Sequence, residues 1–569
     1  MVIKYKFDKS GNYEYYYLYE LLKNNFHFNE IKYGDYVKDV IKILIIEEAN
    51  GNPIINLDDQ TISFQLLKKG WPDKHLNALN KTGLINNNHS PIVINNRQIS
   101  WLKWTKKLER ISESLLIKKM IENNKIIKTQ SNKNSNQKNI HEIFNYSNLV
   151  LLQGGPGTGK SSLIIKTILN FLDSDSELNI GLSAPTGKAV ARLKESINFH
   201  KHKVNIKKLD QIECQTLHSW IYNFRNKSCK LKYKLNELDF FIIDEMSMVN
   251  IDLVESILGK ISSNCKILLV GDANQLPPIN SCSIWNHIFT KSDKLFESCT
   301  INLTKSYRNR GEIESLSKRI FNQSEESKNK INVLDNSIKD QSNLKVFWVN
   351  QRKIPKEITL EINTFLDLLK KSTSELSKKD YIFETHIDNL IDVEKELIST
   401  IFENLNSNMF LCEKNIGTWG VKEINKIFIN QKEPYNFSTL DEGLPIMCTE
   451  NNNELGISNG DIGLLIGTKE KRRFLFRKFN KNNEPIVSLI DPEKLESVIP
   501  AIAITIHKAQ GSESKKVTIL WTNKNINSKT NTGTKEDTNQ IIFTDNYQKR
   551  LFYTGITRAK ERLNLYVMK

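Results

Sequence analysis

Leu149-Val150-Leu151-Leu152-Gln153-Gly154-Gly155-Pro156-Gly157-Thr158-Gly159-Lys160-Ser161 is the stretch on which the fold turns. Its first five residues read as a buried strand, and Ser162 to Leu172 continues with a helical pattern. Between them stands G-x-x-x-x-G-K-[ST] in the strand–loop–helix setting that gives the pattern its meaning. Glycines let backbone N–H groups turn inward around phosphate oxygens, and the helix N-terminus adds partial positive charge. A nucleotide site is expected over Gly154, Gly155, Pro156, Gly157, Thr158, Gly159, Lys160 and Ser161. Lys160 is expected to reach the β and γ phosphates of ATP, and the Ser161 hydroxyl to bind Mg²⁺.

A second apolar strand, Phe240-Phe241-Ile242-Ile243, ends in Asp244-Glu245. Asp244 suits a carboxylate that holds Mg²⁺, and Glu245 suits a general base polarising the attacking water. A third apolar run, Lys266 to Val270, leads into Gly271-Asp272-Ala273-Asn274-Gln275-Leu276-Pro277-Pro278. Gln275 is a candidate γ-phosphate sensor there, although Gly-Asp and Pro-Pro taken alone are turn chemistry. From Leu149 onward, short apolar runs alternate with Gly-rich turns and amphipathic stretches, the signature of parallel βαβ units.

Ordered blocks elsewhere in the chain carry a family resemblance. Ser183 to Val190, Thr216-Leu217-His218, Asp244 to Met248, Gly271 to Pro278, Tyr307-Arg308, Thr505 to Glu513 and Tyr553 to Lys560 resemble motifs Ia to VI of superfamily 1 helicases. Within that superfamily, GGPGTGK, APTGKA, IDEMSM, GDANQLPP, HKAQGSE and YTGITRAKERL resemble the RecD family, helicase subunits of bacterial exodeoxyribonuclease V. Gly417 to Val421 with Asn425, and Leu455 to Gly463, resemble it too. The resemblance spans about 137–569. The pattern departs at Ala509, where Ser is usual, and at Gly555, where Ala is common. Neither change removes a catalytic group.

The resemblance implies an α/β chain of two RecA-like P-loop domains, a helical N-terminal domain and a small β-rich insert in the second motor domain. It implies an ATP- and Mg²⁺-dependent 5′→3′ DNA helicase, with RecB-like and RecC-like partners, acting at duplex ends in break processing and repair. Arg558 is then a candidate arginine finger and Arg308 a second one, because a guanidinium stays charged and pairs with phosphate oxygens. Gln137 takes the place of an adenine-reading glutamine. Pro185, Thr186, Thr216, His218, Thr505 and His507 fall in motifs that touch the strand in relatives. Trp220, Trp285 and Trp419 offer stacking surfaces for bases and equally offer core packing. A free-standing helicase of the same type and a non-unwinding ATP switch are the competing readings. A nuclease centre is expected in a RecB-like partner.

The remaining sequence sets bounds. A length of 569 residues suggests about three to five domains. Lys+Arg 81 against Asp+Glu 65 gives +16, which suits a phosphate-backbone partner and also suits drift of codons towards Lys. Seven cysteines without a C-x-x-C pair argue against a disulfide or zinc framework. The N-terminus has no apolar signal segment, and the run Val40–Ile46 is too short to span a bilayer, so a cytoplasmic location is expected. The domains are expected at 1–125 (partner docking), 126–330 (first motor, ATP site) and 331–569 (second motor), with the insert near 440–500. The polar stretches Thr129–Asn139 and Asn322–Asn332 read as boundaries, and Asn523–Gln540 as a surface insertion.

Overall fold

The computed structural model describes all residues except 1–11, 59–63, 88, 121–138, 176, 205–208, 210–211, 224–232, 279–281, 292, 308–310, 322–329, 333–342, 351, 379–391, 430, 432–433, 453, 480–484, 524–539, 544–545 and 569. Gln137, Arg308 and most of the three polar stretches therefore lie outside the described residues.

The N-terminal region is largely helical, with long helices at Asn12–Phe26, Glu30–Ala49 and Leu102–Lys119. It also carries a small antiparallel sheet of β1 (Ile54–Asn56), β2 (Ile92–Asn95) and β3 (Gln98–Trp101), in the order β1-β3-β2. These strands are three or four residues long, too short for a periodicity of two to show in the sequence. Trp71, Trp101 and Trp104 are buried in the core.

The first motor sheet holds β4 (Leu149–Gly154), β5 (Ile180–Ala184), β6 (Glu213–Thr216), β7 (Phe240–Ile243), β8 (Lys266–Gly271) and β9 (Thr300–Leu303). All six pair in parallel in the order β6-β5-β7-β8-β4-β9. Strands β4, β5 and β7 are buried throughout or nearly so, as a sheet covered on both faces requires.

β10 (Lys330–Asn332) and β20 (Gln540–Ile542) pair antiparallel, so the ends of two polar stretches meet in a two-stranded ribbon. The second motor sheet joins β11 (Leu344–Val349), β12 (Asn408–Cys412), β18 (Ala503–Thr505), β19 (Ser514–Thr522) and β21 (Ala559–Met568). It too is parallel, in the order β11-β21-β19-β12-β18. Between β12 and β18 the chain inserts an antiparallel sheet of β13 (Pro445–Cys448), β14 (Ile462–Ile466), β15 (Arg473–Phe479), β16 (Pro485–Ile490) and β17 (Val498–Pro500). Among the described residues no helix is long and apolar enough to cross a membrane.

The N-terminal region is not a separable module. Its buried side chains and those of the first motor sheet form one continuous core. Helix Leu102–Lys119 lies on helix Ile251–Leu258, tied by Lys107–Asp252 and by Arg110–Glu255 at 2.6 Å. The buried Lys118 ammonium donates to the carbonyls of Ser262, of Ser263 at 3.1 Å and of Cys265 at 3.1 Å. At the far end of helix Glu30–Ala49, Gly51 (φ +82°) sits so close to Pro277 that an added Cβ would lie 2.4 Å from its ring. Ser283 N–H donates to Gly51 O at 3.2 Å. These contacts brace the loop that carries Gln275.

The ATP chemistry therefore depends on residues 1–120 as well. Their deletion strips the apolar cover from helix Ile251–Leu258 and leaves the loop around Pro277 unsupported. The truncated chain is expected to aggregate or melt well below the full chain, with ATPase lost alongside. Size exclusion, a thermal melt and a turnover assay check this. A soluble truncation with full turnover contradicts it.

Candidate ATP site and strand-binding edge

β4 ends at the phosphate loop, and helix Lys160–Ser174 begins where the loop closes. Gly157 and Gly159 take φ of 75° and 87°, a left-handed conformation that costs other residues about 1–2 kcal/mol. A Cβ on Gly154 would lie 2.7 Å from Thr158 Oγ1 and 3.0 Å from Leu303 Cβ. The loop's shape thus depends on its glycines through both conformation and space. Thr158 Oγ1 donates to Gly155 O at 2.8 Å and ties the loop across itself. Lys160 Nζ folds onto the loop, donating to Gly154 O at 2.7 Å and Gly155 O at 2.9 Å. The Ser161 hydroxyl, one residue on, is exposed.

Asp244 and Glu245 leave β7 at the same C-terminal edge. Burial and the adjoining Glu245 carboxylate push the Asp244 carboxyl up to about 6, while Lys160 pulls the other way. Glu245 stands at φ 55°, ψ 43°, in the left-handed region with a full side chain, a strain of about 1–3 kcal/mol that marks functional sites. Its N–H donates to Asp244 Oδ1 at 2.8 Å. Two carboxylates crowded in a buried edge favour a cation between them and a phosphate. Ser161 and Asp244 offer the oxygen donors a hard ion such as Mg²⁺ takes, with nucleotide phosphates completing its shell.

Gln275 is buried, and its amide donates to Asp272 Oδ2 at 3.2 Å. Among the described residues its carbonyl oxygen has no hydrogen-bond partner, so that atom is left to meet something that enters the cleft. Three contacts stitch this loop to the second motor domain. Tyr553 Oη donates to Asp272 Oδ2 at 3.0 Å, Leu276 N–H to Thr554 Oγ1 at 3.1 Å, and Gln510 Nε2 to Leu276 O at 3.4 Å. Tyr553 Oη also approaches Gly155, where an added Cβ would lie 3.0 Å from it.

Arg558 is buried, held by Thr554 O at 3.0 Å and Ser512 O at 3.3 Å. Burial lowers its pKa, while Glu245 and Glu513 stabilise its charge. Lys160, Ser161, Asp244, Glu245, Gln275 and Arg558 all line one cleft of about 870 Å³ between the two motor sheets, a size suited to a nucleotide-scale ligand. Arg192 lines it as well and pairs with Glu513 at 3.4 Å, and Lys560 pairs with the same Glu513 at 3.8 Å. Asp272, Tyr553, Arg192 and Glu513 escaped the sequence reading. Asp272 and Tyr553 stand inside quoted motifs, but only packing reveals that they bond each other.

The strand-binding candidates gather on two edges. Ala184 pairs with Thr216, so Pro185-Thr186 and Leu217-His218 leave the first sheet side by side. Thr505 ends β18 of the second sheet, and His507 follows. Each threonine already caps a local turn: Thr186 Oγ1 accepts from Ala189 N at 3.2 Å, Thr216 Oγ1 from Ser219 N at 3.2 Å, and Thr505 Oγ1 from Lys508 N at 3.3 Å. His507 turns to Tyr547, hydrogen-bonded to its hydroxyl. Trp220, Trp285 and Trp419 are each buried in core, which removes them as stacking surfaces.

An AAA domain family model matches residues 137–281. The RecBCD enzyme subunit RecD of Buchnera aphidicola subsp. Schizaphis graminum is 29% identical over 456 residues, 74% of this chain and 71% of that protein. The RecBCD enzyme subunit RecD of Haemophilus influenzae is 25% identical over 471 residues, 73% of this chain and 66% of that protein. Both of these relatives are RecD subunits, and the similarity to each runs over nearly three quarters of this chain. An ATP-dependent RecD2 DNA helicase of Deinococcus radiodurans is 35% identical over 133 residues, 23% of this chain and 16% of that protein. A solved Bacteroides Pif1 bound to ssDNA aligns with 75% of this chain and 91% of its own, at 18% identity and a TM-score of 0.33.

Proposed function

We propose that this chain is an ATP-dependent DNA helicase, the 5′→3′ translocating subunit of a RecBCD-type complex in the cytoplasm. The observation that carries the reading is the shared cleft, in which Arg558 of the second sheet faces Lys160, Asp244, Glu245 and Gln275 of the first. An ATP site that spans two domains converts nucleotide turnover into their relative motion.

With ATP in the cleft, Lys160 exchanges the carbonyls of Gly154 and Gly155 for phosphate oxygens. Glu245 takes a proton from water as the water oxygen attacks the γ-phosphorus. The bond from that phosphorus to the bridging oxygen breaks, leaving ADP and phosphate. Arg558 neutralises the charge that builds on the transferred group. Ser161 and Asp244 would hold Mg²⁺, which would supply charge neutralisation of the β and γ phosphates. Gln275 senses the γ-phosphate through its amide N–H, while its free carbonyl oxygen accepts from the attacking water, and the Asp272–Tyr553 bond passes the phosphate's presence to the second domain. A strand lying across Thr186, Thr216 and Thr505 is gripped differently in the open and closed states and so moves stepwise.

The partners this reading calls for are RecB-like and RecC-like chains and the single strand at a duplex end. Co-expression with those chains, size exclusion and unwinding of tailed duplexes of both polarities test it. Co-elution and unwinding from a 5′ tail are expected. Unwinding by a monomer indifferent to those chains points to a free-standing helicase, and strand-stimulated turnover without unwinding to a switch.

A further inference from the structure

We infer that Tyr222, backed by His218, is a nucleobase-stacking platform on the first motor sheet; this rests on the strand-translocating reading above. Helix Leu217–Asn223 follows β6 without a break. It is anchored by Trp220, which is fully buried. The Trp220 indole N–H donates to Leu182 O at 3.2 Å, and its ring meets Phe241 edge-on at 5.5 Å. At 100° per residue, positions two before and two after Trp220 fall on the opposite side of the helix. Those positions are His218 and Tyr222, and both are exposed, Tyr222 at 56%.

One turn apart, the two side chains are neighbours on one face. Their rings lie 13° from parallel with centroids 6.5 Å apart. Two large rings in water, aligned with each other and contributing little to the core, offer flat π-faces to a ligand. A base stacks on such a face whatever its identity, which suits a motor that moves along any sequence. Position supports the same occupant. Pairing of Ala184 with Thr216 puts this helix beside Pro185-Thr186, at the edge proposed for the strand. In the order β6-β5-β7-β8-β4 it stands four strand spacings from the phosphate loop, roughly 19 Å at about 4.8 Å each. Base grip and phosphate chemistry are thereby kept apart.

The test uses the full chain and fluorescence anisotropy with labelled oligothymidylate and with an abasic strand of equal length. Tyr222→Ala is expected to weaken oligothymidylate binding about ten-fold or more. Tyr222→Phe and Tyr222→Trp are expected to keep the affinity. The abasic strand should bind wild type and Tyr222→Ala alike. The slope of log Kd against log salt should not change, because a stacked ring releases no counterion. Circular dichroism melts confirm that each variant folds. Equal oligothymidylate binding by wild type and Tyr222→Ala overturns the platform, as does loss in Tyr222→Phe or a salt slope reduced by about one. A wild-type chain that binds no single strand overturns the helicase reading and the platform together, a result distinct from the others.

Discussion

Lys160→Ala is expected to abolish useful ATP turnover, lowering it by about 10²–10³ or more, while the chain stays folded. Among the described residues Lys160 Nζ hydrogen-bonds to the P-loop carbonyls Gly154 O and Gly155 O, and it is half-buried on the cleft wall. Truncation leaves those carbonyls facing an open cleft that water can enter, so the loss in stability should be about 1 kcal/mol or less. The loss in catalysis is far larger, because the ammonium's partner in the reaction is the charge developing on the transferred phosphate. A melting temperature near wild type with turnover near zero is the expected pair of readings. Normal turnover removes Lys160 from the mechanism, and a collapsed melting temperature assigns it a structural role.

Glu245→Gln separates binding from chemistry. The amide keeps the shape and the left-handed backbone at φ 55° but has no basicity to accept a proton from water. Hydrolysis is expected to fall by about 10²–10⁴. Nucleotide binding is expected to hold or tighten, because one of two crowded carboxylates loses its charge beside the phosphates. The neighbouring Asp244 carboxyl, held high partly by Glu245, should then ionise at lower pH. Arg558 loses one of the two carboxylates that stabilise it and keeps Glu513. Equilibrium binding of a fluorescent ATP analogue beside single-turnover hydrolysis measures both halves. Lost binding, or turnover at the wild-type rate, assigns Glu245 a different part.

What the amino-acid sequence determined unaided was local. An apolar run, a glycine loop and an amphipathic stretch in direct succession specify strand, phosphate loop and helix, because hydrogen bonding and backbone freedom there depend on neighbours in the chain. The same holds for Phe240–Glu245, and the alternation of such units is enough for a parallel α/β architecture. Tertiary structure decided everything that joins distant segments. Asp272 reads as part of a turn until Tyr553, 281 positions away, donates to it. The N-terminal region reads as a module behind a polar linker until Lys118 and Gly51 are seen braced against the first motor domain. Trp220 and Tyr222 are both aromatic, two residues apart, and the sequence cannot rank them for a nucleobase. Burial against Leu182 and Phe241 turns Trp220 inward, and one helical geometry then leaves Tyr222 outside. Contacts of that kind follow from which surfaces pack together, a property of the whole chain that no short window of residues contains.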